Sequence, residues 1–342
     1  MSYEYERVAT PAGGLRLHLN ENTAGCSPAV IKALRSLTAV QLAAYPDYDA
    51  AIDATARRLQ VGADALLLTN GLDEGILVAA MVALRDAADG EAIIVVPAFD
   101  MYAACTDAVG GRVVEVPLEP DFSFPLERVL AAINERTRII WLTNPNNPTG
   151  QSIPREAILR IAEASKRALL FVDEAYVDFG GLTLIGDAMM QQFPRLIVGR
   201  TFAKAYGLAG IRAGAVVGQP EIISALRRVT PPYSLNACAA AALPAAFGDT
   251  AFYDWYLSQV QESKQLLYDA LEKARVFYWK SDANFVLARF EGRGTGVQAS
   301  LAASGVHVRD RSGDPGCADC LRITAGVVEH TRKFVTALEW LV

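Results

Sequence analysis

Ala168-Leu169-Leu170-Phe171-Val172-Asp173-Glu174-Ala175-Tyr176 runs from five apolar residues straight into two acids. A short unbroken apolar run is what a strand buried on both faces requires, as in a parallel sheet. An acid at the exit of such a strand is costly to bury unless it meets a cation or hydrogen-bond donors. A helix cap is the plain reading of Asp173; a cation belonging to a ligand is the sharper one. Outward from this stretch the same texture repeats. Strands are predicted at residues 65–70, 92–97, 112–116, 138–143, 168–173, 195–200 and 212–218. Amphipathic stretches at 72–85, 125–133 and 154–166 lie between several of them, with Pro125 and Pro154 placed where a first helical turn tolerates proline. The alternation implies an α/β fold, a mostly parallel seven-stranded sheet between helices.

Past Pro244 the pattern changes. Residues 249–275 contain no Gly or Pro and predict one long helix capped by Asp249 or Thr250. Shorter strands follow at 276–279, 284–290, 306–309 and 321–324, with helices near 296–303 and over 328–341. The expected organisation is a large domain over 29–244, a smaller α+β domain over 245–342, and an N-terminal arm over 1–28 that joins the smaller domain.

Bulk properties narrow the function. The 342 residues are 52% hydrophobic, enough for a substantial core. The net charge of −6 is spread without acidic or basic blocks, which disfavours nucleic acid as a partner. No run is long and apolar enough to span a bilayer, and no signal peptide is expected from the first residues. Five scattered cysteines, Cys26, Cys105, Cys238, Cys317 and Cys320, argue against a disulfide framework and for a cytoplasmic protein. Cys317 and Cys320 form a lone CxxC with only His307 nearby, so no metal site is expected. No GxGxxG follows a strand, no GxSxG is present, and His18, His307 and His330 read as structural.

In open parallel sheets ligands sit beyond the carboxyl ends of the strands. After 65–70 comes Gly71-Leu72-Asp73-Glu74-Gly75, a glycine that exposes a helix N-terminus and its free N–H groups to an anion. After 138–143 comes Asn144-Pro145-Asn146-Asn147-Pro148-Thr149-Gly150, a stiff loop able to aim asparagines into a cleft. After 195–200 comes Thr201-Phe202-Ala203-Lys204-Ala205-Tyr206-Gly207, where one of only seven lysines sits among small and apolar residues. Such an amine loses hydration and gains nucleophilicity, although snorkelling lysines are commoner. Arg212, between Gly210 and Gly214, can present a bidentate fork to phosphate. Phosphate donors, a buried acid, an asparagine, a tyrosine and a desolvated lysine together match the needs of pyridoxal phosphate.

These motifs, with Leu19-Asn20-Glu21-Asn22-Thr23, Tyr45-Pro46-Asp47 and Leu321-Arg322-Ile323-Thr324, give a chain that resembles the histidinol-phosphate aminotransferase family of fold type I pyridoxal-phosphate enzymes along its whole length. The resemblance implies that Lys204 condenses with the cofactor aldehyde, that Asp173 pairs with the ring nitrogen, and that Tyr176 and Asn147 hydrogen-bond the ring oxygen. It further implies that Tyr102 stacks on the ring, and that Gly71, Leu72, Asp73 and Arg212 hold the phosphate. Tyr45 would reach that phosphate from a second copy, making a homodimer with a shared site. Arg322 would bind the anionic end of the substrate, with Arg309 a second candidate and Asn20 and Asn147 beside it. The implied reaction passes an amino group from histidinol phosphate to 2-oxoglutarate, in histidine biosynthesis. An aromatic or other amino-acid aminotransferase, a threonine-phosphate decarboxylase and a non-catalytic cofactor-binding protein are the alternatives, with specificity expected around the arm, Tyr233 and Arg309. The chain departs from the family at Ala203, where Ser or Thr is usual, at Leu72, and at Pro97-Ala98-Phe99 in place of Pro-Thr-Tyr. It is also short for the family, which implies a trimmed N-terminal arm.

Overall fold

The computed structural model describes residue 11 and residues 13–87 and 89–341; the expectations for residues 1–10 of the arm lie outside them. The strands in chain order are β1 (Leu15–Leu17), β2 (Leu66–Thr69), β3 (Glu91–Val96), β4 (Arg112–Pro117), β5 (Thr137–Thr143), β6 (Leu169–Asp173), β7 (Leu196–Thr201), β8 (Gly214–Val217), β9 (Phe277–Tyr278), β10 (Phe285–Arg289), β11 (Val306–Asp310) and β12 (Cys320–Thr324).

Seven of them form one sheet in the order β2-β8-β7-β6-β5-β3-β4. Every expected strand of the large sheet is present. β5, β6 and β7 lie in its middle and are buried on both faces, which is why they read as continuous apolar runs. Ile93, Ile140, Val172 and Val198 pack into the core on one face, and Ile94, Ile139, Phe171 and Ile197 into a second core on the other. The alternation of side chains along each strand makes this division.

One strand runs against the rest. β8 pairs antiparallel with both β7 and β2, whereas the other neighbours are parallel. A parallel return needs a crossover, usually a helix. Residues 202–213 hold only the 3₁₀ turn Ala209–Ile211, so the chain doubles back beside the strand it has just left.

The second sheet has the order β1-β11-β12-β10-β9. β1 joins it parallel to β11, with Leu17 opposite Val308. The helix Thr250–Lys273 packs near it, with the Asp249 side chain accepting from the Phe252 N–H at 3.2 Å. Three sequence details shift. Pro125 and Pro154 stand at the cap, one residue outside their helices Leu126–Ala132 and Arg155–Ala164. Pro244, taken as the end of the larger unit, lies inside the helix Ala237–Gly248. No described helix is long and apolar enough to cross a membrane.

Candidate active site

The strand quoted at the outset ends in a buried carboxylate. Asp173 Oδ2 accepts from the Tyr102 hydroxyl at 2.6 Å, and Oδ1 from the Ala175 N–H at 2.8 Å. The Thr143 hydroxyl donates to the Tyr102 oxygen at 3.0 Å. Burial pushes the Asp173 carboxyl up to about 6, against the pull of its two donors. The Tyr102 ring stacks on Trp141, with centroids 5.3 Å apart and planes 16° apart, and meets the Phe99 ring edge-on at 5.9 Å. The structure adds contacts to Tyr102 beyond the expected stacking on a bound ring. One of its faces is taken by Trp141, and its hydroxyl, not its face, addresses Asp173.

Lys204 lies three residues past the end of β7, at the sheet edge where β6 delivers Asp173. Its Nζ donates to the Leu19 carbonyl at 3.1 Å and lies 5.7 Å from the centre of the Tyr176 ring. The Tyr176 hydroxyl accepts from Asn20 Nδ2 at 3.1 Å. Arg322, on β12, donates through one terminal nitrogen to Asn147 Oδ1 and through the other to the His18 carbonyl at 2.9 Å. Among the described residues its Nε has no hydrogen-bond partner, and burial draws its pKa down to about 10. Residues 18–20 thus touch Arg322, Lys204 and Tyr176 in succession. Asn20 holds this path with a φ of 54°, a left-handed conformation that asparagine tolerates better than most residues.

At the opposite end Gly71 caps the helix Leu72–Leu84 with a φ of 77°. The positive φ favours glycine, and a Cβ there would also meet Arg212 Nη2 at 2.5 Å and push the guanidinium aside. Arg212 Nη2 donates to Asp73 Oδ2 at 2.7 Å, and both side chains are close to half exposed. The first-turn N–H groups of the helix point the same way. Thr201 Oγ1 accepts from the Ala203 N–H at 3.2 Å.

Leu72, Asp73, Phe99, Tyr102, Thr143, Asn147, Asp173, Tyr176, Thr201, Ala203, Lys204 and Arg212 line a cavity of about 170 Å³. A buried acid lies at one end, a guanidinium and a helix N-terminus at the other, and a primary amine on the wall. That donor set fits a flat cationic heterocycle carrying an aldehyde and a phosphate.

Comparison with known proteins agrees. Residues 12–338 match the family model for aminotransferase class I and II. The chain belongs to the class I and II aminotransferases. Among its relatives, histidinol-phosphate aminotransferase 1 of Cupriavidus pinatubonensis is 34% identical over 337 residues, 96% of this chain and 88% of that protein. Histidinol-phosphate aminotransferase of Symbiobacterium thermophilum is 35% identical, covering 95% and 90%. The solved histidinol-phosphate aminotransferase of Sinorhizobium meliloti, in complex with pyridoxal-5'-phosphate, superposes with a TM-score of 0.84 over 96% of this chain and 92% of that one. At 24% identity this last likeness concerns the fold. The family is pyridoxal-phosphate-dependent, and this aminotransferase has the residues to hold that cofactor.

Of the expected residues, Gly71, Asn20 and Arg322 do not line the cofactor cavity of the aminotransferase but adjoin residues that do, and Tyr45 and Arg309 do not line it either. Tyr45 is 78% exposed and stacks on Tyr233, with centroids 4.2 Å apart. Arg309, on β11 opposite Arg322, lines a second and larger cavity of about 780 Å³ together with His18, Asp100, Gln298 and Arg311. Sequence reading missed Thr201, Phe99 and Thr143. All three carried a usable signal, since Thr201 and Thr143 end strands at the carboxyl edge and Phe99 lies three residues past one. The CxxC cysteines are buried beside Trp279 and Phe122, and among the described residues no group of three potential ligands gathers around a metal position.

Proposed function

We propose that this aminotransferase transfers the amino group of histidinol phosphate to 2-oxoglutarate, a step of histidine biosynthesis, in the cytoplasm and as a homodimer. One observation carries the choice of an anionic donor. Arg322 is a fully buried cation, and among the described residues no carboxylate lies within ion-pair distance of it. A buried guanidinium is stable when an anion meets it, and its fork takes a phosphate or a carboxylate equally well. Both half-reactions need that versatility. The names and extent of the relatives support histidinol phosphate as the donor.

When bound, pyridoxal phosphate supplies an aldehyde for the donor's amino group and a ring that takes up the electron pair left by the Cα proton. The protein's residues do the rest. Lys204 Nζ takes the Cα proton as general base and gives it back on the neighbouring carbon. Asp173 holds a proton at the ring nitrogen, the cation its burial lacks. Tyr176 and Asn147 orient the ring oxygen. Phe99, which lines the cavity, would lie beside the ring with Tyr102. Gly71, the first turn at Leu72 and Asp73, Thr201 and Arg212 hold the phosphate. Arg322 fixes the donor's anion, with Asn20 and Asn147 beside it.

The dimer reading rests on the surface. The helix Ala39–Ala43 has no buried residue, and Val40, Leu42, Tyr45 and Tyr233 are exposed near one another in the chain or in space. An apolar patch of that kind is suited to a second copy, whose Tyr45 would complete the half-open phosphate end. Sedimentation equilibrium is expected to give twice the chain mass. The cytoplasm accords with five free cysteines. We take the large unit to run from residue 29 and to end with the helix Ala237–Gly248, and the arm to belong with the small sheet.

The test is a panel of amino donors with 2-oxoglutarate. Histidinol phosphate is expected to show the highest kcat/KM. An inert histidinol phosphate beside an active aromatic or acidic amino acid would overturn the substrate assignment and leave the family untouched.

A further inference from the structure

The larger cavity adjoins the cofactor cavity at two points. Asp100, on its wall, follows Phe99 of the cofactor cavity, and Arg322 donates both to Asn147 of the cofactor cavity and to the carbonyl of His18. A cavity so placed, beside the guanidinium proposed to hold the donor's anion, has room for the rest of the donor's side chain. Its wall contains one anomaly. His18 is only 5% exposed, it is one of the residues lining the cavity, and its buried Nδ1 and Nε2 have no hydrogen-bond partner among the described residues. Its closest aromatic neighbour, His307, approaches edge-on at 6.3 Å and has its own contact from Nε2 to the Gly13 carbonyl.

A buried imidazole with two unmet nitrogens is a liability, because desolvated polar atoms cost free energy until something pairs with them. The position follows Leu17, which is buried in the core, and packing alone would be served as well by an aliphatic side chain. The imidazole is neutral. Burial first, and then Arg16, His307, Arg309 and Arg322, bring its pKa down to about 4. A neutral imidazole offers one donor and one acceptor. A positively charged surround leaves it neutral beside an anion-binding guanidinium, where it adds a hydrogen bond without adding charge.

We infer that His18 is a specificity-determining residue, whose ring hydrogen-bonds the polar far end of the amino donor's side chain in this cavity. The inference rests on the aminotransferase reading and deepens it. It assigns the donor class as one with a neutral hydrogen-bonding group, such as a nitrogen heterocycle, in preference to a plain phenyl ring. A site that pairs a buried group with the substrate rejects the analogue lacking the partner far more strongly than an apolar pocket rejects an added polar atom.

The experiment compares two donors that share the same phosphate end, histidinol phosphate and its phenyl counterpart phenylalaninol phosphate, with 2-oxoglutarate on the holoenzyme. Wild type is expected to favour the imidazole donor. In His18→Leu the kcat/KM for that donor should fall by about 30- to 100-fold, while the phenyl donor changes less than about threefold. His18→Gln, which keeps one donor and one acceptor, should recover part of the loss. The cofactor's visible absorbance reports whether the site is intact in each variant. Equal losses for both donors, no loss for either, or a wild type that prefers the phenyl donor would each overturn the role of His18. If wild type turns over neither phosphate donor yet uses amino acids, the substrate reading fails, and the same comparison made with histidine and phenylalanine still decides the role of His18.

Discussion

The two ends of the cofactor cavity are built on opposite plans. At the ring end every polar group is buried and already engaged. Tyr102 and the Ala175 N–H hold Asp173, Thr143 holds Tyr102, and Asn20 holds Tyr176. At the phosphate end Arg212 and Asp73 are near half exposed and paired with each other, with one further long contact from Arg212 to the Ala209 carbonyl. An exposed pair of this kind contributes between ~0 and 1 kcal/mol, so a phosphate displaces Asp73 from Arg212 at little cost. The ring end is thus set before the cofactor arrives, and the phosphate end is made by its arrival. Chemistry demands the first arrangement, because a charge that develops during the reaction is best met by groups that need not move. Retention of the cofactor tolerates the second.

Mutations at the two ends should therefore separate rate from retention. Lys204→Ala stands between the ends and removes the general base, so turnover is expected to fall by at least ~10³-fold with the fold unchanged; residual activity above a tenth of wild type would break the comparison at its centre. Asp173→Asn should lower kcat by ~10²- to 10³-fold, comparable to the loss of a charge-stabilising group. It should also have an opposite effect on the cofactor-free protein. The Asp173 pKa is raised from 3.8 to about 6 in the folded state by burial, so the charged carboxylate opposes folding. That penalty is absent below about 4, grows as pH rises to about 6, and is complete above it, where it amounts to ~2–3 kcal/mol. The melting temperature of the cofactor-free Asn variant should exceed that of wild type at pH 7, and the two should converge toward pH 4. A gap that stays constant with pH would contradict a buried carboxylate waiting for its cation.

At the other end Arg212→Ala is expected to weaken cofactor binding by ~10- to 100-fold, the worth of a charge-assisted hydrogen bond, while kcat at saturating cofactor changes little. Titration of the cofactor-free enzyme followed by its absorbance measures the first, and steady-state assays the second. A kcat loss as large as that of Asp173→Asn would show that the ends are not separable. The smallest effect is a gain. Ala203→Ser places a hydroxyl on the cavity wall, and its added hydrogen bond should tighten cofactor binding by ~3- to 10-fold. Dialysis retention compared with wild type reads it directly.

Much of this division was legible in the sequence because it is local. Strand exits, Gly71, the Lys204 segment and Arg212 announce themselves by what immediately surrounds them. Three features did not, each for the same physical reason. The use of Tyr102 depends on Trp141, a residue on another strand whose ring lies under it. The reversal of β8 depends on how a connection without a helix must fold, not on the strand's composition. The convergence of His18, Leu19 and Asn20 on Arg322, Lys204 and Tyr176 joins segments that periodicity cannot relate, some of them more than 300 residues apart. Thr201, Thr143 and Phe99 were within reach, since all sit where the rule about strand ends points.

The backward course of β8 has a consequence for how the enzyme measures its cofactor. Since β7 leaves the sheet at the edge where β8 enters it, Lys204 and Arg212 are carried by one short excursion of the chain. The spacing between the amine that takes the aldehyde and the fork that takes the phosphate is thereby fixed by a single ruler, anchored at both ends in paired strands. A residue inserted anywhere in 205–211 would lengthen that ruler and misplace both grips at once, even though every side chain named above remained present.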